Sequence, residues 1–541
     1  MLAAPELPRK NLSKGRQTPS TSNGHRGVDA TGALMIAATT GLMFVAYYAL
    51  PADDAFIVAR YVDQLYRGHG LVFNVGERIN AITSPLLTWT IAALHPLSST
   101  PVTLYRIAAA VVVVWTLLEV AKRFYSAPSD RLLFAALALA SPFVVFWSIS
   151  GLETPLLLCC CTWLTYCALR LLSGDGNESA TRAAQVIGLA AAAVLLRYDA
   201  VLYVGPPAAV CLYKFRRSRR VVGTAVFSAV AVGLWLAFTA FYYGDILPTS
   251  FYVKLEHSVT ADTLFLGLAY VVSFSVLSLL APVAATPPWK RYLATERRTP
   301  TLLALVVGAA AQLAYGLAAS TQHMMYAYRL FVPYLPSLVL LFMPAQQARR
   351  GWREFLSVIV ILYQATIGLV LYYLSENPNL SLLFWKQDEH HQWYEFSTFG
   401  ARNTKEFLAA VRRSAPEIRA HWVQVAAHER PMKVLALTGG TLPYLLPSAY
   451  VFETLVSYRH HCGGDLASAA DYVQLIQNAD APVSPAARFG VDARNWQLVS
   501  KHVIEATGLQ EKPYRLRIDI WYNKHPSTLV LPPSVDLPCQ G

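Results

Sequence analysis

Charge is scarce in this sequence. Only 14% of its 541 residues are Asp, Glu, Lys or Arg, whereas charged residues make up about 25% of soluble domains. The seven cysteines are too few for a small domain stabilised by disulfides. No Gly-rich phosphate-binding loop or dinucleotide-binding motif is present. These absences exclude a cytosolic enzyme, an intrinsically disordered protein and a disulfide-rich secreted module, and nothing here predicts a nucleotide cofactor.

What the sequence has instead is a large apolar content. Apolar residues make up 55% of the chain, and a single soluble core stops growing at about 250–300 residues, so the composition predicts a polytopic α-helical membrane protein. Eleven apolar runs have the length of a membrane span or nearly so. They lie near 31–50, 101–120, 131–148, 154–173, 183–196, 200–213, 221–243, 264–283, 301–320, 329–345 and 354–374. The pair interrupted at 197–199 is too short for two full spans, so we expect broken or tilted helices there.

The basic residues indicate an orientation. With residues 1–28 placed in the cytoplasm as a disordered tail, 22 of the 29 Lys and Arg residues before position 375 fall on cytoplasmic segments. That bias follows the positive-inside rule. The sequence therefore predicts a membrane domain over 29–374, with a long first external loop at 51–100, and it places 375–541 outside the cytoplasm.

The last region is soluble in character. It holds 16 basic and 16 acidic residues, so the net charge of +12 belongs to the membrane part and gives no reason to expect nucleic-acid binding. A helical stretch at about 402–414 and a strand-like run at 433–438 predict a small external α/β domain. Cys462 and Cys539 lie in this region, and whether they form a disulfide stays open because spacing does not define their geometry.

Polar residues recur at the external ends of the predicted helices. Asp53 and Asp54 follow the first apolar run directly. A carboxylate there could act as a general base toward a sugar hydroxyl or bind a divalent cation, and an Arg or Lys could bind a phosphate. The plainer alternative is an Asp pair that caps an interfacial helix. Later external ends carry Glu153, Arg197, Asp199, Asp245, Lys254, His323, Tyr328 and Arg329, and such recurrence on one face favours a functional site.

Four motifs follow one another in order across 51–336. They comprise 53–57 with 68–78 and 83–86, then 150–155, 242–254 and 328–333. Together these motifs resemble the GT-C membrane glycosyltransferases, and within them the arabinofuranosyltransferase branch. That branch includes the terminal cell-wall arabinofuranosyltransferases of actinobacteria and a related enzyme that arabinosylates type IV pilins.

The resemblance implies a reaction and a location. It implies transfer of a sugar, with D-arabinofuranose expected, from a polyprenyl-phosphate donor to a cell-envelope glycan in cell wall biogenesis. The protein would lie in a bacterial inner membrane among its lipids, with its N-terminus in the cytoplasm and its C-terminal domain in the periplasm. No certain cofactor is implied, and no metal ligands are assigned, although a divalent cation could bind near the Asp pair.

The resemblance also assigns residues to three roles. Asp53 and Asp54 would be catalytic, with Asp53 preferred as the general base. The residues that would bind the donor phosphate are Arg329, Arg60, Lys254 and Arg197. Those that would bind the sugar or the acceptor are Glu153, Asp199, His69, Tyr252, His323 and Tyr328.

Two departures from the family pattern keep alternatives open. Relatives often carry Arg-Pro-(Asp/Glu)-Gly where this chain has Arg-Tyr-Asp-Ala at 197–200, and the last 167 residues are short for the cell-wall enzymes. The acceptor could therefore be a surface protein such as a type IV pilin. A transporter of lipid-linked sugars would share the apolar composition, but it would more naturally show an internal repeat.

Overall fold

The structure of the protein is a computed structural model that describes residues 23–171, 176–255, 260–284, 300–319, 327–343, 350–373, 401–425, 430–436, 439–453, 469–478, 493–506 and 514–526, with isolated positions at 482, 484 and 485. The tail at 1–22 and the cysteines Cys462 and Cys539 lie outside these ranges, so their predictions stay open. Helices dominate up to residue 425, and a sheet follows.

The α-helices of the described residues, in chain order, are α1 Asn23–Tyr47, α2 Ala55–Tyr66, α3 Pro85–Leu94, α4 Pro101–Phe124, α5 Pro128–Ala138, α6 Pro142–Ser148, α7 Thr154–Arg170, α8 Gly176–Leu196, α9 Val201–Lys214, α10 Arg219–Tyr243, α11 Thr249–Leu255, α12 Ala261–Leu277, α13 Leu280–Ala284, α14 Pro300–Ala319, α15 Leu335–Phe342, α16 Arg350–Tyr373, α17 Ala401–Val425 and α18 Thr441–Leu445. The strands are β1 Lys433–Leu435, β2 Tyr450–Phe452, β3 Tyr472–Asn478, β4 Trp496–Ala506 and β5 Tyr514–Asn523.

Proline marks the first turn of several helices. α3, α4, α5 and α6 each begin with Pro, which has no N–H to leave unpaired there and has its φ already set for a helix. Glycine ends another helix: α10 is followed by Gly244, which takes a left-handed conformation with φ 76°. This conformation commonly ends helices, and Gly adopts it with the least strain. Local sequence therefore explains many of the observed helix boundaries.

Several helices before residue 375 have the length and apolar composition of membrane spans. Among the described residues, five helices are long and apolar enough to cross a membrane, and α5 with α6 makes a sixth if that pair is one span bent by 66°. Shorter apolar helices lie at Thr31–Tyr47, Thr154–Arg170, Gly267–Leu277 and Val332–Phe342. On α10, only 11% of the spanning window is buried inside the protein, and an outward apolar surface of this extent is typical of a helix that contacts lipid. The protein is thus a polytopic membrane protein.

The eleven apolar runs of the sequence all contain helix. The expected break at 197–199 is present, because α8 ends at Leu196 and α9 begins at Val201, with a 3₁₀ turn between them. α9 also contains Pro206 and Pro207, which deprive it of backbone hydrogen bonds. Interrupted backbone of this kind is tolerated in a bilayer where other helices cover it, and α14 packs against α9 here.

The C-terminal region forms a mixed five-stranded sheet. Its strand order is β2-β1-β3-β5-β4, with β1 parallel to both β2 and β3 and with β5 antiparallel to both β3 and β4. α17 packs on the β4 and β5 side, and it contains the helical stretch expected at 402–414. β1 covers the first half of the strand expected at 433–438.

Glycines allow the closest contacts between membrane helices. A Cβ at Gly308 on α14 would overlap the backbone carbonyl of Tyr203 on α9, and a Cβ at Gly267 on α12 would overlap that of Leu317 on α14. Membrane helices gain their stability largely from such close backbone packing, because burial from lipid supplies little. These two positions therefore keep α9, α14 and α12 in contact.

We expect Gly308→Ala to lower the thermal stability of the protein in detergent. Overpacking of this kind typically costs about 1–3 kcal/mol. The matched control is Gly233→Ala on α10, where an added Cβ meets nothing within 4 Å and Ala is the better helix former. Equal melting temperatures for the two variants would contradict the close packing of α14 on α9.

Candidate active site

Five charged side chains from four separate segments meet at one end of the membrane helices. Arg329 contacts Asp54 at 3.2 Å and Glu153 at 3.5 Å. Arg197 contacts the same Glu153 oxygen at 3.6 Å, and its Nη2 donates to Asp199 at 2.8 Å. We call this group the ion cluster. All five are among the site residues expected from the sequence, and the structure brings them together.

The ion cluster is largely buried, but part of it remains accessible to solvent. The side chains of Glu153 and Arg329 are 4% and 13% exposed, and that of Asp54 is 27% exposed. Three carboxylates face two guanidinium groups, and the buried Nε of Arg329 has no hydrogen-bond partner among the residues that the structure describes. An unpaired buried N–H is costly, so Arg329 retains hydrogen-bonding capacity that a bound anion could use.

Glu153 is held in place by a tight loop. Gly151 has φ +91°, and a Cβ there would lie 3.0 Å from the Cβ of Ala55 at the start of α2. The hydroxyl of Tyr105 donates to the carbonyl of Leu152 at 2.7 Å. Only Gly combines this left-handed backbone with so close an approach. The motif at 150–155 therefore fixes Glu153 against the loop that carries Asp54.

Arg329 follows a strained turn. Ala327 and Tyr328 have φ of 48° and 56°, a conformation that costs non-glycine residues energy and occurs mainly where packing enforces it. The Tyr328 ring is fully buried among aromatic rings such as that of Phe143, and Trp147 donates from Nε1 to the carbonyl of Ala327 at 2.8 Å. The guanidinium of Arg329 then lies over the Trp147 ring, 5.7 Å from its centroid.

Asp53 contacts the C-terminal region instead of the ion cluster. Its two carboxylate oxygens accept hydrogen bonds from the backbone N–H groups of Gly440 at 2.9 Å and Thr441 at 2.8 Å. Burial raises the pKa of Asp53, and these hydrogen bonds oppose the rise. A Cβ at Gly440 would overlap the backbone carbonyl of Asp53. The lack of a Cβ at Gly440 therefore allows the two backbones to touch.

Arg60 also contacts the C-terminal region, and this corrects its expected role. It is 1% exposed, and its guanidinium donates to the carbonyls of Phe73, Pro443, Leu446 and Ala449. These bonds use four of the five N–H groups that a guanidinium has. Arg60 is therefore a buried structural cation, and no phosphate can reach it in this arrangement.

Asn74 completes this contact between the first loop and the sheet. Its side-chain amide exchanges two hydrogen bonds of 2.9 Å with the backbone of Val451 on β2. Phe56 packs on Tyr444 with ring centroids 5.3 Å apart. We call the contacts of Asp53, Arg60 and Asn74 with 440–451 the docking interface. Sequence reasoning missed it, and the only signal it had was the Gly-Gly pair after a strand.

The remaining expected site residues lie apart from the ion cluster or are not described. His69 and Tyr252 are exposed. Lys254 belongs to α11, with its side chain not described, and His323 lies outside the described residues. Tyr328 was expected to bind sugar, but its ring is fully buried in the aromatic core. It packs in the turn that positions Arg329. Among the described residues no group of three or more His, Cys, Asp or Glu could hold a metal ion.

This fold belongs to the GT-C class of polytopic membrane proteins. The structure is similar to ArnT from Cupriavidus metallidurans bound to undecaprenyl phosphate, with a TM-score of 0.54 and 13% identity over 92% of this chain and 98% of that one. It is equally similar to the apo state of the same protein, with a TM-score of 0.55 and 13% identity over 91% of this chain and 98% of ArnT. At such low identity the likeness establishes the fold alone.

The sequence relatives are terminal beta-(1->2)-arabinofuranosyltransferases. The protein of that name from Mycobacterium tuberculosis is 27% identical over 47% of this chain and 42% of its own length. The one from Corynebacterium glutamicum is 25% identical over 64% of this chain and 55% of its own length. No family model matches the chain. The resemblance to this branch is thereby confirmed, although the match spans only about half of each relative.

We expect Arg60→Met to destabilise the protein severely. It would remove a donor from four buried carbonyls, of which those of Pro443 and Leu446 also accept a backbone N–H, at about 1–3 kcal/mol for each carbonyl that stays unsatisfied. The control is Arg67→Met at the C-cap of the same helix, where the side chain is 51% exposed and pairs with Asp63 at the surface, an interaction worth about 0–1 kcal/mol. Thermal unfolding in detergent measures both, and a similar small loss in the two variants would contradict the structural role of Arg60.

We also expect Asp53 to make stability depend on pH. Because the folded-state pKa of Asp53 lies above the ordinary value of 3.8, its contribution is fully present below that value and is lost as pH rises through the raised pKa. The melting temperature of the wild type minus that of Asp53→Asn should therefore fall as pH increases from about 4 and then level off. Carboxyl groups common to both proteins cancel in this difference. A difference that grows with pH would contradict the raised pKa.

Proposed function

We propose that the protein is a membrane glycosyltransferase that moves D-arabinofuranose from a polyprenyl-phosphate donor to a glycan of the cell envelope. The observation that carries the proposal is the ion cluster, in which Arg329 and Arg197 lie beside the carboxylates of Asp54, Glu153 and Asp199 at the end of the membrane helices. The names of the sequence relatives support the sugar, and the undecaprenyl phosphate bound to ArnT supports a lipid-linked donor.

The cations of the cluster suit the donor phosphate. A polyprenyl chain in the bilayer would bring its phosphate to the level of the helix ends, where Arg329 and Arg197 lie. Guanidinium groups bind phosphate with paired hydrogen bonds, and they would stabilise the charge that develops on the phosphate as its bond to the sugar breaks. Lys254 on α11 is a further candidate for this contact.

The carboxylates suit the acceptor side of the reaction. The oxygen of the acceptor hydroxyl attacks the anomeric carbon, the bond from that carbon to the phosphate oxygen breaks, and polyprenyl phosphate leaves. One carboxylate of the Asp53-Asp54 pair takes the hydroxyl proton as general base. Glu153 and Asp199 would accept hydrogen bonds from sugar hydroxyls, with His69, Tyr252 and His323 as outer candidates.

The proposed setting is a bacterial inner membrane with the N-terminus in the cytoplasm and the C-terminal domain in the periplasm, so transfer occurs outside. The excess of Lys and Arg on the segments assigned to the cytoplasm supports this orientation. A surface protein such as a type IV pilin is the alternative acceptor, because the same chemistry serves a protein hydroxyl. A lipid-linked sugar transporter is the alternative of a different class.

The test is sugar transfer by the purified protein from synthetic polyprenyl-phosphoryl arabinofuranose to glycan and peptide acceptors. We expect transfer by the wild type and a loss of about 10²–10⁴-fold in Asp54→Ala, as for the removal of a general base. Arg329→Ala should lose donor phosphate binding as well as turnover.

The control variant is Arg123→Ala, which removes a surface ion pair with Glu119 on α4 and should leave transfer unchanged. Absence of transfer by the wild type to every hydroxyl acceptor, with the donor still bound, would favour the transporter. Near-normal turnover of Arg329→Ala would exclude the ion cluster as the catalytic site.

A further inference from the structure

The adjacent residues Asp53 and Asp54 have different partners, and we propose that they have different roles in the reaction. Asp53 is a positioning residue that docks the C-terminal region on the first loop, and Asp54 is the carboxylate that receives the acceptor proton. The inference rests on the proposed function and reverses the preference for Asp53 that the sequence motif suggested. It makes the C-terminal region a necessary part of the active site.

The surroundings of Asp53 are those of a docking residue. Both of its oxygens accept hydrogen bonds from backbone N–H groups of Gly440 and Thr441, so each oxygen already has a hydrogen-bond partner in the C-terminal region. The same turn of chain touches the backbone of Asp53, because Gly440 has no Cβ. A proton taken from an acceptor would weaken both of these hydrogen bonds, because N–H groups bind a charged carboxylate more strongly than a neutral carboxyl group.

The surroundings of Asp54 are different. Its side chain is 27% exposed, and Arg329 is the one residue that the described structure shows bound to it, through a single oxygen at 3.2 Å. The other oxygen is therefore available to an acceptor hydroxyl. Arg329 also links Asp54 to Glu153, which brings the proposed base next to the groups that would hold the donor sugar.

Docking fixes the direction in which Asp54 points. Asp54 lies between Asp53, which is bound to the turn at 440–441, and α2, whose Arg60 is bound to four carbonyls, three of them at 443–449. The residue is thus held on both sides by the C-terminal region. A displacement of about 1 Å of a catalytic group can cost about 10²-fold in rate, so loss of docking should lower turnover without removing the base.

The experiment breaks the docking interface from each side. Asp53→Asn removes the carboxylate, and Gly440→Ala introduces a Cβ that overlaps the Asp53 carbonyl. The matched control is Gly439→Ala, whose added Cβ has the side chain of Glu453 as its nearest neighbour, 2.9 Å away, and not the backbone of Asp53. Hydrogen–deuterium exchange of the amides at 440–446 in the purified full-length protein measures docking, and sugar transfer against pH measures catalysis.

We expect Asp53→Asn and Gly440→Ala to expose the amides at 440–446 to exchange and to lower kcat by about 10²-fold. The double variant should be no worse than either single one, because both act on one contact. The acid limb of the kcat/KM profile, which reports the base, should stay where it is in the wild type. Asp54→Asn should lose about 10²–10⁴-fold of transfer with normal protection from exchange.

Two results would overturn the proposal. One is near-normal transfer in Gly440→Ala together with abolished transfer in Asp53→Asn, which would make Asp53 the base. The other is unchanged exchange at 440–446 in both docking variants, which would deny that Asp53 holds this turn. If the wild type transfers no sugar, the proposed function fails, and exchange in the two variants still decides whether Asp53 is a docking residue.

Discussion

A charge that is buried at the end of a membrane helix needs an opposite charge or several hydrogen-bond partners beside it, and this requirement joins the distant parts of the protein. Arg329 reaches Asp54 across 275 positions of sequence and Glu153 across 176. Desolvation makes each of these groups costly on its own, so the segments that carry them must come together. The strained turn before Arg329 and the left-handed Gly151 are the local cost of that convergence.

The loop at 51–100 contributes both to the ion cluster and to the docking interface, and its sequence does not separate these two roles. Along the start of α2, Asp54 faces the ion cluster, whereas Asp53 and Arg60 face the C-terminal region. Much of the motif at 68–78 also belongs to docking, since Phe73 supplies a carbonyl to Arg60 and Asn74 pairs with β2. The similarity of this loop to the family motif therefore reflects the contacts that assemble the fold at least as much as the catalytic chemistry.

The sequence was a good guide to elements whose cause is local. Apolar runs of spanning length predicted where helices lie, because lipid requires long apolar helices. Polar residues at 197–199 predicted the break between α8 and α9, and recurrent polar groups at the helix ends predicted all five members of the ion cluster. It did not predict that α5 and α6 bend by 66°, which depends on how neighbouring helices pack.

The sequence by itself determined that this is a polytopic membrane protein, and it predicted acids and cations at the ends of its helices. Only the tertiary structure decided which of them belong together. Arg60 and Arg329 are equivalent in sequence terms, yet Arg60 is enclosed by carbonyls and Arg329 bridges carboxylates. Asp53 and Asp54 are adjacent, yet a turn 387 positions away binds the first of them. A side chain's role depends on its partners in space, and local sequence carries no information about partners so far along the chain.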